Sequence, residues 1–153
     1  MTAEIIILGR LGQVAAATSS AAAASGHAVR HLARPEIDLA EPGDIARVLD
    51  PILLAAPAGS VLVNAAAYTD VNRAESEPEL AHRINARTPA MLAARCAQAD
   101  IPLIHLSTDY VYDGKKEVPY LETDPGHPLS VYGRSKLEGD EAIRLSGARH
   151  VIL

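Results

Sequence analysis

Residues 5–15 read Ile-Ile-Ile-Leu-Gly-Arg-Leu-Gly-Gln-Val-Ala, an unbroken apolar run that leads into a turn with two glycines. A continuous run of β-branched and leucine side chains is typical of a strand that is buried on both faces of a parallel sheet. Parallel strands need crossover connections, which are usually helices, and the alanine-rich stretch 13–25 before Gly26 predicts such a helix. This segment therefore indicates the opening of a βαβ unit.

Strand and helix patterns continue to alternate along the rest of the chain. Apolar runs predict further strands over residues 29–33, 37–39, 61–63, 102–107 and 151–153. Helices are predicted over residues 45–55, over 76–99, where Ser76 and Glu79 have capping-box spacing, and over 131–146, whereas residues 112–130 predict an irregular surface loop. The expected fold class is α/β, with one doubly wound parallel sheet of the Rossmann-like type.

Length, composition and charge limit the class of protein. A chain of 153 residues has the length of one domain. Its 48% apolar and 22% charged residues exclude a disordered, collagenous or coiled-coil protein. A net charge of −5, with Lys and Arg scattered along the chain, predicts no nucleic-acid partner and no anionic membrane partner.

The single cysteine and the first residues indicate a compartment. Cys96 cannot form an internal disulfide and lies in an alanine-rich helical run, so it is expected to be a small buried side chain in a reducing environment. The first residues lack a basic stretch, and the apolar run at 5–8 is too short for a signal sequence or a membrane span. A cytoplasmic protein is expected.

The turn after the first strand has the spacing of a phosphate-binding turn. Gly9 and Gly12 are followed, after two more residues, by the small residue Ala15. Such a turn brings backbone N–H groups to the positive end of a helix dipole, where a pyrophosphate can bind. Two interpretations stay open here: a dinucleotide site, or glycines that only allow the chain to turn.

Tyr132 and Lys136 lie four residues apart on the last predicted helix, so their side chains project from one face. A nearby ammonium lowers the pKa of a tyrosine hydroxyl and makes it a usable proton donor near neutral pH. Thr108 follows a predicted parallel strand, at the end where such sheets bind ligands, and is placed to polarise a carbonyl. The alternative is an exposed pair on a helix with no chemical role.

Several motifs, taken in order along the chain, resemble those of one enzyme family. They are Gly9-x-x-Gly12-Gln13-Val14, VNAAAYTDV at 63–71, Ala74-Glu75-Ser76, Ile84-Asn85-Ala86, STDYVYDG at 107–114 and Val131-Tyr132-Gly133-x-Ser135-Lys136. Together they cover nearly the whole chain. They are similar to the motifs of the dTDP-4-dehydrorhamnose reductase family, which belongs to the extended short-chain dehydrogenases/reductases.

The resemblance implies a reductase with NADPH or NADH as cofactor and a nucleotide sugar as substrate. In such an enzyme Tyr132 would donate a proton to the C4 carbonyl of a dTDP-4-dehydro-6-deoxysugar, while the nicotinamide delivers a hydride. Lys136 would lower the pKa of Tyr132 and hold the nicotinamide ribose, and Thr108 would polarise the carbonyl. These three are the catalytic residues that the resemblance implies.

The resemblance also implies a set of binding residues. Those for the cofactor are Gly9, Gly12, Gln13 and Val14 near the pyrophosphate, Asp38 and Leu39 near the adenine, Ala67, Tyr68 and Thr69 near the inner half, together with Tyr132 and Lys136. Thr108 and Asp109 would contact the substrate. Asp38 is equally well interpreted as a turn residue and Tyr68 as a packed aromatic, and Asn85 is expected to bridge backbone groups.

Charge also bears on the choice of cofactor. NAD enzymes often place an acidic residue after the second strand to hold a ribose hydroxyl, whereas an arginine accommodates the phosphate of NADP. Arg34 follows the second predicted strand closely, which favours NADPH over NADH. The six histidines show no metal-ligand spacing, so no bound metal is expected.

The chain departs from the family pattern in charge and in length. Asn72 stands where the family has an aspartate, and Ala17 where some members have a glutamate. Family members continue into a smaller substrate domain, so residues 1–153 are expected to form an incomplete NAD(P)-binding Rossmann domain, truncated before that domain. A homo-oligomer or a complementing chain is expected. The alternatives are a non-catalytic cofactor-binding or regulatory subunit with this fold, or a reductase or epimerase of another nucleotide sugar.

Overall fold

The computed structural model describes residues 2–153, which form a five-stranded parallel sheet. The strands are β1 (Glu4–Leu8), β2 (Ala28–Leu32), β3 (Val61–Asn64), β4 (Leu103–His105) and β5 (His150–Ile152). Their order is β2-β1-β3-β4-β5, and all neighbouring pairs are parallel. The connections change direction between β1 and β3, where sheets of this kind form a ligand-binding crevice.

Helical segments connect each strand to the next. They are α1 (Gln13–Ala24), α2 (Pro42–Asp44), α3 (Asp50–Ala55), α4 (Val71–Ala74), α5 (Pro78–His82), α6 (Thr88–Ala99) and α7 (Val131–Leu145). A π-helical turn, Ile45–Leu49, joins α2 to α3, a second one, Arg83–Arg87, joins α5 to α6, and a 3₁₀ helix, Asp109–Val111, follows β4. Such π-helical turns are frequent at functional sites. The second of them contains Asn85.

Helices cover both faces of the sheet. Ile6 lies in register with Leu62, and Leu62 with Leu103, and this row forms the main core together with α3, α6 and α7. On the other face Ile7 packs with Ala15 of α1. Because alternate residues of a strand point to opposite faces, the apolar run of β1 contributes to both cores. The predicted doubly wound α/β fold is confirmed.

One predicted strand is wrong. Residues 37–39 lie in a loop, because β1 already pairs with β2 on one side and with β3 on the other. The carboxylate of Asp38 accepts a hydrogen bond from the N–H of Ala40 at 2.9 Å, and the N–H of Asp38 donates to Asp44 at 3.1 Å. These short-range bonds satisfy the backbone in place of a strand partner.

The predicted capping box is also wrong. The Ser76 hydroxyl donates to the carbonyl of Arg73 at 2.9 Å, so Ser76 closes the preceding turn and does not cap the next helix. The helix begins instead at Pro78, whose missing N–H needs no partner in a first turn. The other predicted helices and strands are confirmed to within three residues at each end, and residues 112–130 contain no helix or strand.

Cys96 is fully buried in the main core, as expected, and burial raises the pKa of its thiol to about 12. Within residues 2–153, every helix is too short or too polar to cross a membrane.

Candidate functional site

The turn between β1 and α1 requires small residues. Gly9 has a φ of +121°, a conformation that side chains rarely adopt. A Cβ atom on Gly9 would lie 3.5 Å from the Cβ of Ala15, which is fully buried. A larger side chain at position 15 would therefore push the helix away from the turn, and Ala15 serves as the third small residue.

Gly12 caps α1 and has open surroundings. Its backbone is extended, no side chain caps the helix, and the first turn contains no acidic residue. A Cβ atom on Gly12 would meet nothing within 4 Å. The first N–H groups of a helix lack partners within the helix, so this end of α1 can bind an anion.

A cleft of about 510 Å³ opens at the carboxyl ends of β1, β2 and β3. Six of the predicted cofactor-binding residues line it: Gly9, Arg34, Asp38, Leu39, Ala67 and Tyr68. Gly12, Gln13, Val14 and Thr69 are not part of its wall. The fold therefore brings together residues predicted for the adenine end and for the inner half of the cofactor, whereas the glycine turn contributes only Gly9 to the cleft, and Tyr132 and Lys136 lie outside its wall.

One wall of the cleft is a loop held by polar contacts. The guanidinium of Arg34 is mostly exposed and lies 3.9 Å from the carboxylate of Asp38. Asp38 is also a turn residue, through its bond to Ala40. The buried Thr88 hydroxyl donates to the carbonyl of Leu39 at 2.6 Å and so ties this loop to α6. The loop presents one cation and one carboxylate to the cleft.

The opposite wall contains residues that sequence analysis missed. The Tyr68 hydroxyl donates to Glu77 at 2.8 Å, and Glu77 also accepts a bond from Arg73 at 2.8 Å. Burial and the neighbouring carboxylate raise the pKa of Tyr68, whereas the hydrogen bonds from Tyr68 and Arg73 lower the pKa of Glu77. Arg73 and Glu77 have the spacing of an ordinary exposed helix pair, so only the fold shows that they reach Tyr68.

Asn85 links the cleft to α7. Its side-chain oxygen accepts a bond from the N–H of Tyr68 at 2.8 Å, and its amide nitrogen donates to the Tyr68 carbonyl at 3.0 Å. The same nitrogen donates to the hydroxyl of Ser135 on α7 at 3.1 Å. The prediction that Asn85 bridges backbone groups is confirmed. Through this bridge, the loop after β3 and α7 hold each other in place.

The start of α7 is fixed by two side-chain contacts, one to a hydroxyl and one to a carboxylate. The Ser130 side chain accepts a bond from the N–H of Gly133 at 3.0 Å and caps the helix. The N–H of Val131 donates to the carboxylate of Glu75 at 2.8 Å. These contacts hold the backbone N–H groups of Val131 and Gly133, and they set the position of Tyr132 between them.

Tyr132 is buried, with 8% of its surface exposed, and its ring packs edge-on against Tyr110 with centroids 5.6 Å apart. It belongs to a small buried cluster with Ala74, Ala81 and Val131, and Tyr68, which lines the cleft, packs against this cluster. Burial raises the pKa of Tyr132, the Thr108 hydroxyl lowers it in part, and the charge of Asp109 raises it further. The Tyr132 hydroxyl therefore keeps its proton at neutral pH.

Thr108 and Asp109 lie at the surface beside this tyrosine. Thr108 caps the 3₁₀ helix by accepting a bond from the N–H of Tyr110 at 3.3 Å, and its hydroxyl donates to Asp109 at 3.2 Å. Thr108 also acts on the pKa of Tyr132, so these two hydroxyl groups are neighbours. The structure thus brings together Thr108 and Tyr132, as the sequence predicts.

Lys136 is fully buried, with 1% of its surface exposed, which excludes an exposed helix pair. Its ammonium contacts the carbonyl of Leu106 and lies 3.0 Å from Nε2 of His105. Burial lowers the pKa of Lys136 to about 8, although Asp140 raises it in part. The expectation that Lys136 lowers the pKa of Tyr132 is wrong for this structure, because burial of Tyr132 dominates and the ammonium is bound elsewhere.

Sequence analysis missed the polar residues that surround Lys136. His105 and Asp140 are 1% and 2% exposed, and the Ser107 hydroxyl donates to Asp140. Burial and the nearby Lys136 lower the pKa of His105 to about 3. His105 stands in an apolar strand pattern, so its position alone gives no signal of these contacts. In residues 2–153, no three His, Cys, Asp or Glu side chains are grouped so that they could hold a metal ion.

The low pKa of His105 makes the stability of the fold depend on pH. Unfolded histidine takes up a proton near pH 6.5, whereas folded His105 does so only near pH 3, so its stabilising contribution is complete above pH 6.5 and is lost as the pH falls toward 3. We expect the free energy of unfolding of the parent chain, measured with urea, to decrease between pH 7 and pH 4.5. In the His105→Gln variant it should decrease less over this range. Equal losses in both proteins would contradict this assignment, and His27→Gln, at an exposed position, serves as the control.

Comparisons with known proteins agree with this geometry. The family described as RmlD substrate binding domain matches residues 3–153. A dTDP-4-dehydrorhamnose reductase of Sinorhizobium fredii is 44% identical over 150 residues, which are 98% of this chain and 49% of that protein. The chain thus spans about half the length of the curated relatives it matches.

Solved structures show the same arrangement of helices and strands. The dTDP-4-dehydrorhamnose reductase of Clostridium acetobutylicum superposes with a TM-score of 0.88 at 29% identity, covering 97% of this chain and 51% of the other. That of Bacillus anthracis, solved in complex with NADP, superposes with a TM-score of 0.89 at 26% identity, covering 99% and 52%. The chain belongs to the RmlD substrate binding domain family.

Proposed function

We propose that this chain is the cofactor-binding and catalytic part of an NAD(P)H-dependent reductase of dTDP-4-dehydro-6-deoxysugars, and that residues 1–153 form its dinucleotide-binding domain. One observation carries the proposal. Tyr68 lines the cleft at the carboxyl ends of β1, β2 and β3, and it also packs against the small buried cluster that contains Tyr132. The proposed dinucleotide site therefore lies beside the cluster that holds the protonated Tyr132 hydroxyl. The NADP-bound relative from Bacillus anthracis supports the choice of cofactor.

The cofactor is proposed to lie with its pyrophosphate at the start of α1. Gly12, Gln13 and Val14 provide backbone N–H groups there, and the open space at Gly12 leaves room for two phosphates. The cleft of about 510 Å³ receives the adenosine between Arg34 and Leu39. Ala67, Tyr68 and Thr69 direct the inner half of the cofactor toward Tyr132. Asn85 fixes the backbone of this segment on both sides of Tyr68.

The reduction needs a hydride and a proton, and the reduced nicotinamide supplies the hydride when it is bound. The Tyr132 hydroxyl donates the proton to the C4 oxygen, which becomes an alcohol, and the resulting phenolate regains a proton from solvent. Burial keeps Tyr132 protonated before the reaction, so the acid is ready at neutral pH. Thr108 donates a hydrogen bond to the carbonyl oxygen and Asp109 contacts the sugar, while Lys136 holds the nicotinamide ribose.

The rest of the substrate site lies outside these residues in this proposal. Thr108 and Asp109 are proposed to reach only the reacting end of a nucleotide sugar, because both follow β4, the neighbour of β3 in the sheet, beside Tyr132. The relatives are about twice as long as this chain, so their remaining half has the length needed to hold the nucleotide. A further segment of chain, a second copy or a complementing chain would supply these contacts.

Substitution at Gly12 tests the proposed site for the pyrophosphate. A Gly12→Asp variant places a carboxylate at the start of α1 without a steric clash, and like charges repel the phosphates. We expect fluorescence titration to show NADPH binding by the parent, and an increase in Kd of at least about tenfold in the variant, or roughly 1.4 kcal/mol.

The uncharged variant Gly12→Asn has nearly the same size and serves as the matched control. It should bind NADPH more tightly than Gly12→Asp, because only the aspartate repels the phosphates. Absence of NADPH and NADH binding by the folded parent would refute the proposed function. Equal losses in both variants would refute the electrostatic explanation.

Arg34 tests the preference for NADPH. Its guanidinium is exposed at the rim of the cleft and can bind the additional phosphate of NADPH with charge-assisted hydrogen bonds. Arg34→Ala should weaken NADPH binding by roughly tenfold and leave NADH binding nearly unchanged. Arg30→Ala is the control, because Arg30 pairs with Glu4 at the other end of the sheet. An unchanged ratio of the two Kd values in Arg34→Ala would show that Arg34 does not select the cofactor.

A further inference from the structure

Four buried polar side chains form a chain of contacts beneath the candidate site. Amide nitrogen Nδ2 of Asn64 lies 3.0 Å from Nδ1 of His105, and Nε2 of His105 lies 3.0 Å from the Lys136 ammonium nitrogen. The carboxylate of Asp140 lies 3.5 Å from the same Nε2. All four residues are at most 2% exposed. Water therefore does not reach these side chains, and their hydrogen-bond partners must come from the protein. The positions of the protons on the four side chains accordingly depend on one another.

His105 faces a donor on each side, which restricts its protonation. A neutral imidazole carries one N–H and one bare nitrogen. Burial beside Lys136 lowers the pKa of His105 to about 3, so the ring is neutral near pH 7. When the amide nitrogen of Asn64 faces Nδ1 of His105, it donates to Nδ1. Nδ1 then carries no proton, and the proton of the ring is on Nε2. The amine of Lys136 can accept a bond from this N–H only when it is uncharged.

A charged Lys136 requires the opposite arrangement. Nε2 must then be bare to accept from the ammonium, so Nδ1 carries the proton and needs an acceptor. Rotation of the Asn64 amide provides its oxygen as that acceptor. This oxygen otherwise accepts a weak bond from the N–H of Ala66, 3.4 Å away, in the loop that lines the cleft. The charge of Lys136, the tautomer of His105 and the amide of Asn64 therefore change together.

Asp140 is the group that favours the charged state. The Ser107 hydroxyl donates to one of its carboxylate oxygens, whereas the other, Oδ1, is buried without a hydrogen bond. An unsatisfied buried carboxylate oxygen is costly, and a nearby ammonium offsets that cost. The charge of Asp140 accordingly raises the pKa of Lys136 against the effect of burial.

We propose that Asp140, His105 and Asn64 are positioning residues that act on Lys136 as one unit: Asp140 keeps the lysine charged, and His105 and Asn64 adopt the matching proton arrangement. A charged Lys136 has three N–H groups. Two are taken by His105 and by the Leu106 carbonyl, which leaves one N–H group. Its donation to a ribose hydroxyl rests on the proposed function and requires that cofactor binding uncover Lys136, which is 1% exposed in the chain without cofactor, whereas the proton arrangement belongs to that free chain.

Few other charges act on this unit. Glu141 and Arg144 of α7 act on Asp140 with opposite signs. On the side of the 3₁₀ helix, Asp109 acts on Tyr132. The π-helical turn Arg83–Arg87 also packs on α7, and there the uncharged Asn85 donates a hydrogen bond to Ser135. Asp140 is accordingly the charge that raises the pKa of Lys136.

Nuclear magnetic resonance of the lysine side chains tests the proposal without any cofactor. The chain has three lysines, Lys115, Lys116 and Lys136, so the ¹³Cε signals can be assigned with a Lys136→Arg variant. In Asp140→Asn the shape is kept and the charge is removed. The Lys136 transition is expected to move to lower pH by about one pH unit relative to the parent. Asp140→Glu keeps the charge and should restore a transition close to that of the parent, whereas Lys115 and Lys116 should not change.

The imidazole ¹⁵N signals of the parent provide a second measurement if Asp140→Asn fails to fold. His105 should show no uptake of a proton down to about pH 4.5, and its N–H should move from Nδ1 to Nε2 across the same pH range in which Lys136 loses its charge. A tautomer that is independent of the Lys136 transition would overturn the proposal. So would an unchanged Lys136 transition in a folded Asp140→Asn.

Failure of this inference can be told apart from failure of the proposed function. NADPH titration of the parent tests the function, and the lysine and histidine signals of the free chain test the unit. A parent that binds NADPH, with the same Lys136 transition in Asp140→Asn, would refute only the unit. A parent with the expected coupled transitions but no affinity for NADPH or NADH would refute only the function.

Discussion

The close approach of α7 to the 3₁₀ helix after β4 and to the π-helical turn Arg83–Arg87 is the constraint on which the site depends. A Cβ atom on Gly133 would lie 2.2 Å from the Tyr110 carbonyl oxygen, and one on Gly139 would lie 2.1 Å from that of Asn85. Any side chain at these positions would push the helix outward. Tyr132, which precedes Gly133, and Lys136, which lies between the two glycines, are buried because the helix lies so close. Their protonation follows from this burial.

Burial of Lys136 also explains why polar residues occupy the ends of β3 and β4. An isolated ammonium in an apolar core would lose its proton or destabilise the fold, since the desolvation of a charge is costly. His105, the Leu106 carbonyl and Asp140 provide partners in place of water. Asn64, at the end of β3, extends these contacts toward the loop that lines the cleft. The lysine and the candidate cleft are thereby connected through side chains of the central strands.

The sequence was sufficient for the features that depend on local pattern. The apolar run of β1, the glycine turn and the four-residue spacing of Tyr132 and Lys136 are all visible in short stretches, and the structure confirms the fold that they predict. The contacts of His105 are different, because its partners Asn64 and Lys136 lie 41 and 31 residues away. The pKa of Tyr132 could not be predicted either, since it depends on burial. The strand predicted over residues 37–39 was wrong, because an apolar pattern does not reveal that both edges of β1 already pair with other strands.

A dinucleotide is proposed to bind at the carboxyl ends of the strands and to reach Lys136. Mapping of amide chemical shifts during titration with NADPH tests this binding mode. We expect the largest changes at Gly9–Val14 and at residues 66–69, together with a change in the ¹³Cε signal of Lys136. A second cleft, of about 420 Å³, lies at the opposite end of the sheet beside Glu4 and Ala28. Changes confined to that second cleft, or no changes at saturating NADPH, would refute this binding mode.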